Sequence, residues 1–198
     1  MDYILAYQSF LFWANMYYLF KNYRIDISSV VHSIVTGIGS QLLPLNNTSL
    51  PYFALGYSIY DLYTSIQIGN LDLIIHGFSY FSIFFYLIYN DLFVPCNIAL
   101  MMNTSTIFLN IRFAMKRYKY DILKPYYYFF STFAFSIMFI YYRIILFPVM
   151  ALNQLNNFYY YYGNTDLIIL VIGSITIMIL NIYWLSIIIK KYITFING

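Results

Sequence analysis

Seven stretches of this chain run for roughly 17 to 25 residues with almost no charge, enough for each to cross a bilayer as a helix. They fall approximately at residues 3–20, 27–43, 51–68, 72–89, 93–115, 125–149 and 166–189. Inside a bilayer no water is present to satisfy backbone N–H and C=O groups, so segments this short and apolar must be helical. The expected fold is all-α: a multi-pass transmembrane bundle of about seven helices, forming one domain over residues 1–198. No linker, second domain or internal repeat interrupts it. With 62% of its residues hydrophobic and only 9% charged, the chain is excluded from the soluble globular class. A net charge of +3, scattered along the sequence, does not suit nucleic acid. Cys96 is the single cysteine, which rules out an intramolecular disulfide and a cysteine-based metal cluster, and no metal site is expected. The first apolar stretch has neither a basic start nor a small-residue cleavage site, so it is expected to stay in the mature protein.

Positive charge orients the bundle. Lys21 and Arg24 follow the first stretch, Lys116, Arg117, Lys119 and Lys124 follow the fifth, and Lys190 and Lys191 follow the seventh. The alternate connections, 44–50, 90–92 and 150–165, have no lysine or arginine. Positive loops face the cytosol, which puts the N-terminus on the lumenal side and the C-terminus in the cytosol. Asn46-Asn47-Thr48-Ser49, with two overlapping glycosylation sequons, then lies in a lumenal loop. Tyr159 to Tyr162 fit an interfacial aromatic belt.

Four ionisable groups fall within the spans: His32, Asp61, His76 and Arg143. Each would cost on the order of 2.5 to 3.5 kcal/mol facing lipid, so each should turn inward. Helical spacing extends them into stripes: Ser29, His32, Ser33 and Thr36 in the second span; Tyr57, Asp61, Thr64 and Ser65 in the third; Asp72, His76 and Ser79 in the fourth. The fifth span contains NTSTIFLNIR, residues 103–112, where Asn103, Thr106 and Asn110 recur on one face. At about 1.5 Å per residue, His32 and His76 lie roughly 7 to 9 Å in from the cytosolic ends and Asp61 about 12 Å in. Asn110 enters to a similar depth, and Asn103 lies deeper. Arg143 sits nearer the lumenal side, where it either snorkels out or reaches into the interior. Hydrogen bonding between helices, at about 0.6 to 2 kcal/mol per contact, is the plain use of such serines, threonines and asparagines. A carboxylate beside two imidazoles has a chemical use as well: His32, Asp61 and His76 could supply a nucleophile or general base with its orienting group. Tyr57, Ser79, Asn103, Thr106, Asn110 and Arg143 are then expected to line the same polar cavity. Cys96 reads as a small apolar residue.

These residues resemble the TLC domain shared by ceramide synthases, translocating-chain-associated membrane proteins and small TLC-domain-containing proteins. The resemblance runs from about residue 24 to about residue 148. It rests on five segments in order: ISSVVHSIVTG; GYSIYDL, matching GY-x-x-x-D-L; IIHGFSYFS; NTSTIFLNIR, matching E-x-S-T-x-F-x-N-x-R; and FFSTFAFSIMFIYYR. His76 is followed by Gly77 with no later histidine, and Asn103 replaces the usual glutamate, so the pattern is more similar to the small TLC-domain proteins than to the synthases. The resemblance implies a lipid-handling protein of the endoplasmic reticulum or a related endomembrane, with a membrane lipid or fatty acyl chain as its partner and no cofactor. It also implies an alternative, an acyltransferase in which acyl-CoA is the substrate, His76 or His32 the nucleophile or base, and Asp61 its orienting group. Intramembrane Asp and His suggest a third class, an ion or proton pathway, without the broken-helix repeats of a transporter. Homo-oligomerisation is left open by the sequence.

Overall fold

A computed structural model describes residues 3–19, 24–69, 71–158 and 163–197, and of these the side chains of 24–26, Asp72, Tyr120, 157–158, Lys191 and 194–197 are not described. The tyrosine run 159–162, the Asp72 end of the fourth-span stripe, and the charged groups of Lys21, Arg24 and Lys191 therefore lie outside what is described. Among the described residues the fold is entirely helical. It consists of α1 (Tyr3–Leu19), α2 (Arg24–Leu42), α3 (Ser49–Ile68), α4 (Leu71–Tyr89), α5 (Phe93–Met101), α6 (Asn103–Arg117), a short α7 (Tyr120–Leu123), α8 (Pro125–Phe139), a π-helical segment (Ile140–Leu146), α9 (Phe147–Phe158) and α10 (Asn164–Asn197). Each of the seven expected stretches is helical. Two are broken: α5 and α6 meet at Met102, and α8 runs through the π-helical segment into α9. α10 extends past the expected residue 189; its 34 residues span about 51 Å, more than the hydrocarbon thickness.

Local sequence sets several ends. Gly69 closes α3 in the left-handed region (φ 72°), where its N–H donates to the carbonyls of Ser65 and Ile66. At the other end of α3 the Asn47 side-chain oxygen accepts from the Leu50 N–H at 3.1 Å, occupying one of the N-terminal donors. Pro125 opens α8, where a missing N–H costs nothing.

Three of these rods, Phe93–Arg117, Pro125–Asn156 and Asn164–Lys190, are long and apolar enough on their own to cross a membrane. α2 and α3 are less apolar because their polar residues are turned inward. Ser28, Ser33, Thr36 and Ser40 of α2 and Ser58, Thr64 and Ser65 of α3 are buried, whereas Ile34, Val35 and Ile38 are exposed. α10 shows the same inversion: Ile172, Ile175, Ile179 and Ile182 are exposed, while Asn181 is buried. An apolar outside around a polar inside is what a lipid surround selects.

The bundle is assembled by close helix pairs, α1 on α3, α3 on α4, α2 on α6 and α6 on α8. Two glycines permit the tightest approaches. A Cβ on Gly56 would stand 2.5 Å from the Ala6 carbonyl oxygen, and one on Gly37 would stand 2.5 Å from the Thr104 backbone nitrogen. The largest apolar core packs Leu55, Phe84, Leu87, Ile88, Leu92 and Leu100 around Cys96, which is fully buried in the apolar role its sequence context implies. α4 packs along α3 and touches α5, but its backbone is not packed along α6 or α10. Near its C-terminal end, Tyr86 reaches across to α10, donating to Asp166 Oδ1 at 2.6 Å.

Candidate functional site: an inward-facing arginine beside an open histidine

The inward stripe of NTSTIFLNIR meets α2. Asn103 Nδ2 donates to Thr36 Oγ1 at 2.9 Å, and Asn110 Nδ2 donates to Ser33 Oγ at 3.2 Å. Gln41 Nε2 donates to Thr104 Oγ1 at 2.8 Å, while its own carbonyl accepts from Tyr142. Most of the passage is thus a polar seam between two antiparallel helices. Gln41, at i+5 from Thr36, falls off the polar stripe of the second span and reaches the seam through its longer side chain.

His32 lies in a second, aromatic arrangement. Only 5% of it is exposed, and its ring stacks on Tyr57 with centroids 3.7 Å apart and planes 9° apart. Trp13 stands edge-on to the imidazole at 5.9 Å and contacts Phe53 and Tyr57. The Trp13 Nε1–H donates to Ser9 Oγ, which donates to the Phe53 carbonyl; the Tyr57 hydroxyl pairs with Ser29. His32 Nδ1 is buried without a hydrogen-bond partner. Its close aromatic packing leaves little room for a substrate at the ring face.

The third group gathers around Arg143. The π-helical segment places its guanidinium against α6 and α10: Nε donates to Ser105 Oγ at 2.9 Å, Nη2 to Thr106 Oγ1 at 2.9 Å, and Nη1 to Asn181 Oδ1 at 3.4 Å. The Arg143 carbonyl, within the widened turn, accepts from Asn181 Nδ2 at 3.3 Å. Phe139 and Trp184 present ring faces 5.4 and 5.5 Å from the guanidinium carbon. Of the two options open to Arg143, snorkelling outward or reaching inward, the structure shows the second. Every one of those partners is neutral, and Arg143 forms no ion pair among the described residues.

His76 faces this group from α4. Its ring is 6.3 Å from Trp184 and 6.4 Å from Tyr80, within electrostatic reach of Arg143, and it is exposed. Tyr80 is itself within reach of Asp61, Arg143 and Asn103. Asp61 is half-buried, with Oδ2 3.6 Å from the point where a Cβ would stand on Gly77. A side chain there would also press on the Leu62 backbone at 3.3 Å, so glycine after His76 is accounted for by α3–α4 packing. Ser79 is exposed on α4.

The structure therefore does not gather His32, Asp61 and His76 into one hydrogen-bonded cluster. Among the described residues no hydrogen bond or ion pair joins any two of them. Arg143 holds Thr106, and His76 stands across Trp184 from it; Asp61 is within electrostatic reach of Tyr80 and Tyr57; His32 stacks on Tyr57 in the aromatic cluster; Asn103 and Asn110 belong to the α2–α6 seam. Ser105, Tyr80, Asn181 and Trp184 complete the Arg143 site, and none of them is among the residues expected from sequence. Asn181 and Trp184 are nonetheless legible as the one amide and the one indole of residues 166–189, three residues apart and so on one face of the helix. Among the described residues no group of three His, Cys, Asp or Glu could hold a metal ion.

No curated protein and no solved structure matches this chain. A family model, described as the TLC domain of TRAM, LAG1 and CLN8 proteins, matches residues 2–190, which adds α1 and most of α10 to the segments at 24–148. A match over nearly the whole length, on an all-helical bundle whose polar residues point inward, makes this chain an integral membrane protein of the TLC domain family.

Proposed function

We propose that the protein takes a membrane lipid or fatty acyl chain into the space between α4 and the α6–α10 side of the bundle, and that it binds, senses or moves that lipid in the endoplasmic reticulum or a related endomembrane. The observation carrying this reading is the placement of Arg143. A guanidinium at membrane depth, held only by neutral acceptors, faces an accessible His76 on a helix whose backbone is not packed against it. A purely structural arginine would be expected to pair with a carboxylate, since an isolated charge in a low-dielectric interior is costly. Membership of the TLC family, which is linked broadly to lipid metabolism, supports the same reading. An acyltransferase would use the same place with His76 as base or nucleophile. An ion or proton path gains no support, because no hydrogen-bonded chain connects His32, Asp61 and His76 among the described residues.

The test is mass spectrometry of lipid carried through purification, run alongside an assay with labelled acyl-CoA. The protein is expected to retain one lipid class above its abundance in the source membrane. His76→Ala, at an exposed position, should leave the fold intact and change the retained lipid at least several-fold. A covalent adduct or an acylated product that disappears in His76→Ala would move the reading to the acyltransferase. Retention of bulk membrane lipid in bulk proportions by both proteins, with no turnover, would reject both.

A further inference from the structure

The Arg143 group has a feature that a generic lipid cavity does not require: unsatisfied donor capacity in one place. A guanidinium carries five N–H donors. Ser105, Thr106 and Asn181 accept three, leaving one N–H on each terminal nitrogen, and the flanking faces of Phe139 and Trp184 supply electron density rather than lone pairs. No carboxylate compensates the charge among the described residues. His76 adds a second nitrogen heterocycle on the opposite, accessible side, and Tyr80 is within electrostatic reach of Arg143. Trp184 bridges the two sides, 5.5 Å from the guanidinium carbon and 6.3 Å from the His76 ring.

From this arrangement we infer that the site is a receptor for the anionic oxygen head of a single- or double-tailed lipid, a carboxylate or a phosphate monoester, with Arg143 as the charge partner and His76 and Trp184 at the entrance. The inference rests on the lipid reading above and narrows it to a class of head group. Two or three oxygens on a delocalised anion match the two spare guanidinium donors, and charge-assisted pairs of this kind are about twice as strong as neutral ones. An uncharged alcohol or ester head would leave the arginine's charge uncompensated. The exposed Ile75 and Phe78 of α4, beside His76, provide an apolar surface for the tails.

Binding to the purified full chain in nonionic detergent tests it, read by native mass spectrometry with four probes: oleate, oleyl alcohol, dioleoyl phosphatidic acid and dioleoylglycerol. Each anion has an uncharged counterpart with the same tail. The expected result is a preference of at least tenfold for the anion within one pair or both; which pair shows it identifies the carboxylate or the phosphate. Equal binding of all four would overturn the anionic receptor while leaving a lipid site, and binding of none would overturn the lipid reading as well. Arg143→Gln should abolish the preference, and its persistence in a folded variant would overturn the assignment to Arg143. In case that variant does not fold, the fluorescence of Trp184 is followed in a Trp13→Phe background, since the chain has only these two tryptophans. The preferred anion is expected to shift the Trp184 emission, and its uncharged counterpart is not. An identical response to both would overturn the proposal.

Discussion

Gly37→Ala is expected to abolish most of the folded protein, although alanine is the better helix former by about 0.8 to 1 kcal/mol. The new methyl would stand 2.5 Å from the Thr104 nitrogen and 2.8 Å from the Asn103 carbonyl carbon, both backbone atoms of α6. Backbone cannot rotate aside as a side chain can, so α2 and α6 must separate. Separation stretches the bonds from Asn103 to Thr36, Gln41 to Thr104 and Asn110 to Ser33. At about 0.6 to 2 kcal/mol for each of the three intramembrane hydrogen bonds and about 1 to 3 kcal/mol for overpacking, the sum is roughly 3 to 9 kcal/mol. The clash therefore outweighs the propensity gain several-fold. Gly173→Ala is the control: nothing lies within 4 Å of the place its methyl would take on α10, so it should be neutral or slightly stabilising. Folded yield by size exclusion in detergent, with thermal midpoints for what survives, measures both. A Gly37→Ala protein as stable as the Gly173→Ala protein would show that α2 and α6 are not in contact at Thr104.

Trp13→Ala should cost about 3 to 5 kcal/mol, the range for removing a large aromatic from a filled core. Trp13 is completely buried, and its indole touches Phe53, Tyr57, Tyr60 and the His32 ring. Its loss empties the centre of the α1–α2–α3 junction. Trp13→Phe keeps most of that contact and removes the Nε1–Ser9 hydrogen bond, a loss of about 0.6 to 2 kcal/mol. The thermal midpoint in detergent should fall far more for the alanine variant than for the phenylalanine one. Equal losses would assign the effect to the hydrogen bond and not to packing.

Helix positions are legible in the sequence because they depend on runs of apolar residues, a signal carried within each segment. The breaks are legible only in part. Met102 stands where apolar residues 98–101 give way to polar residues 103–106, with no proline or glycine beside it, and that break depends on packing across the bundle. The π-helical segment Ile140–Leu146 carries the only charge of its span, Arg143, and is followed by Pro148, which has no N–H to give the preceding turn; its widening also depends on packing. The same distinction divides the polar residues. Periodicity alone puts Asn103, Thr106 and Asn110 on the inner face of their helix, but only the three-dimensional register sends Asn103 and Asn110 to α2 and Thr106 to Arg143. Shared depth suggests that His32 joins Asp61 and His76. Depth is one coordinate, and rotation about α2 turns the imidazole onto Tyr57 instead.

The central claim is that a lipid enters the bundle beside Arg143 and His76, and site-resolved cross-linking in native membranes reads it directly. A photoactivatable oleate bearing a diazirine near its carboxyl end is irradiated with the membranes, and adducts are located by peptide mass spectrometry. An interior site predicts adducts at Tyr80 and Trp184 that decline when unlabelled oleate or phosphatidic acid is added in excess. Adducts confined to the outward residues Ile172, Ile175, Ile179 and Ile182, unchanged by competitor, would show that lipid only surrounds the protein and would contradict the claim.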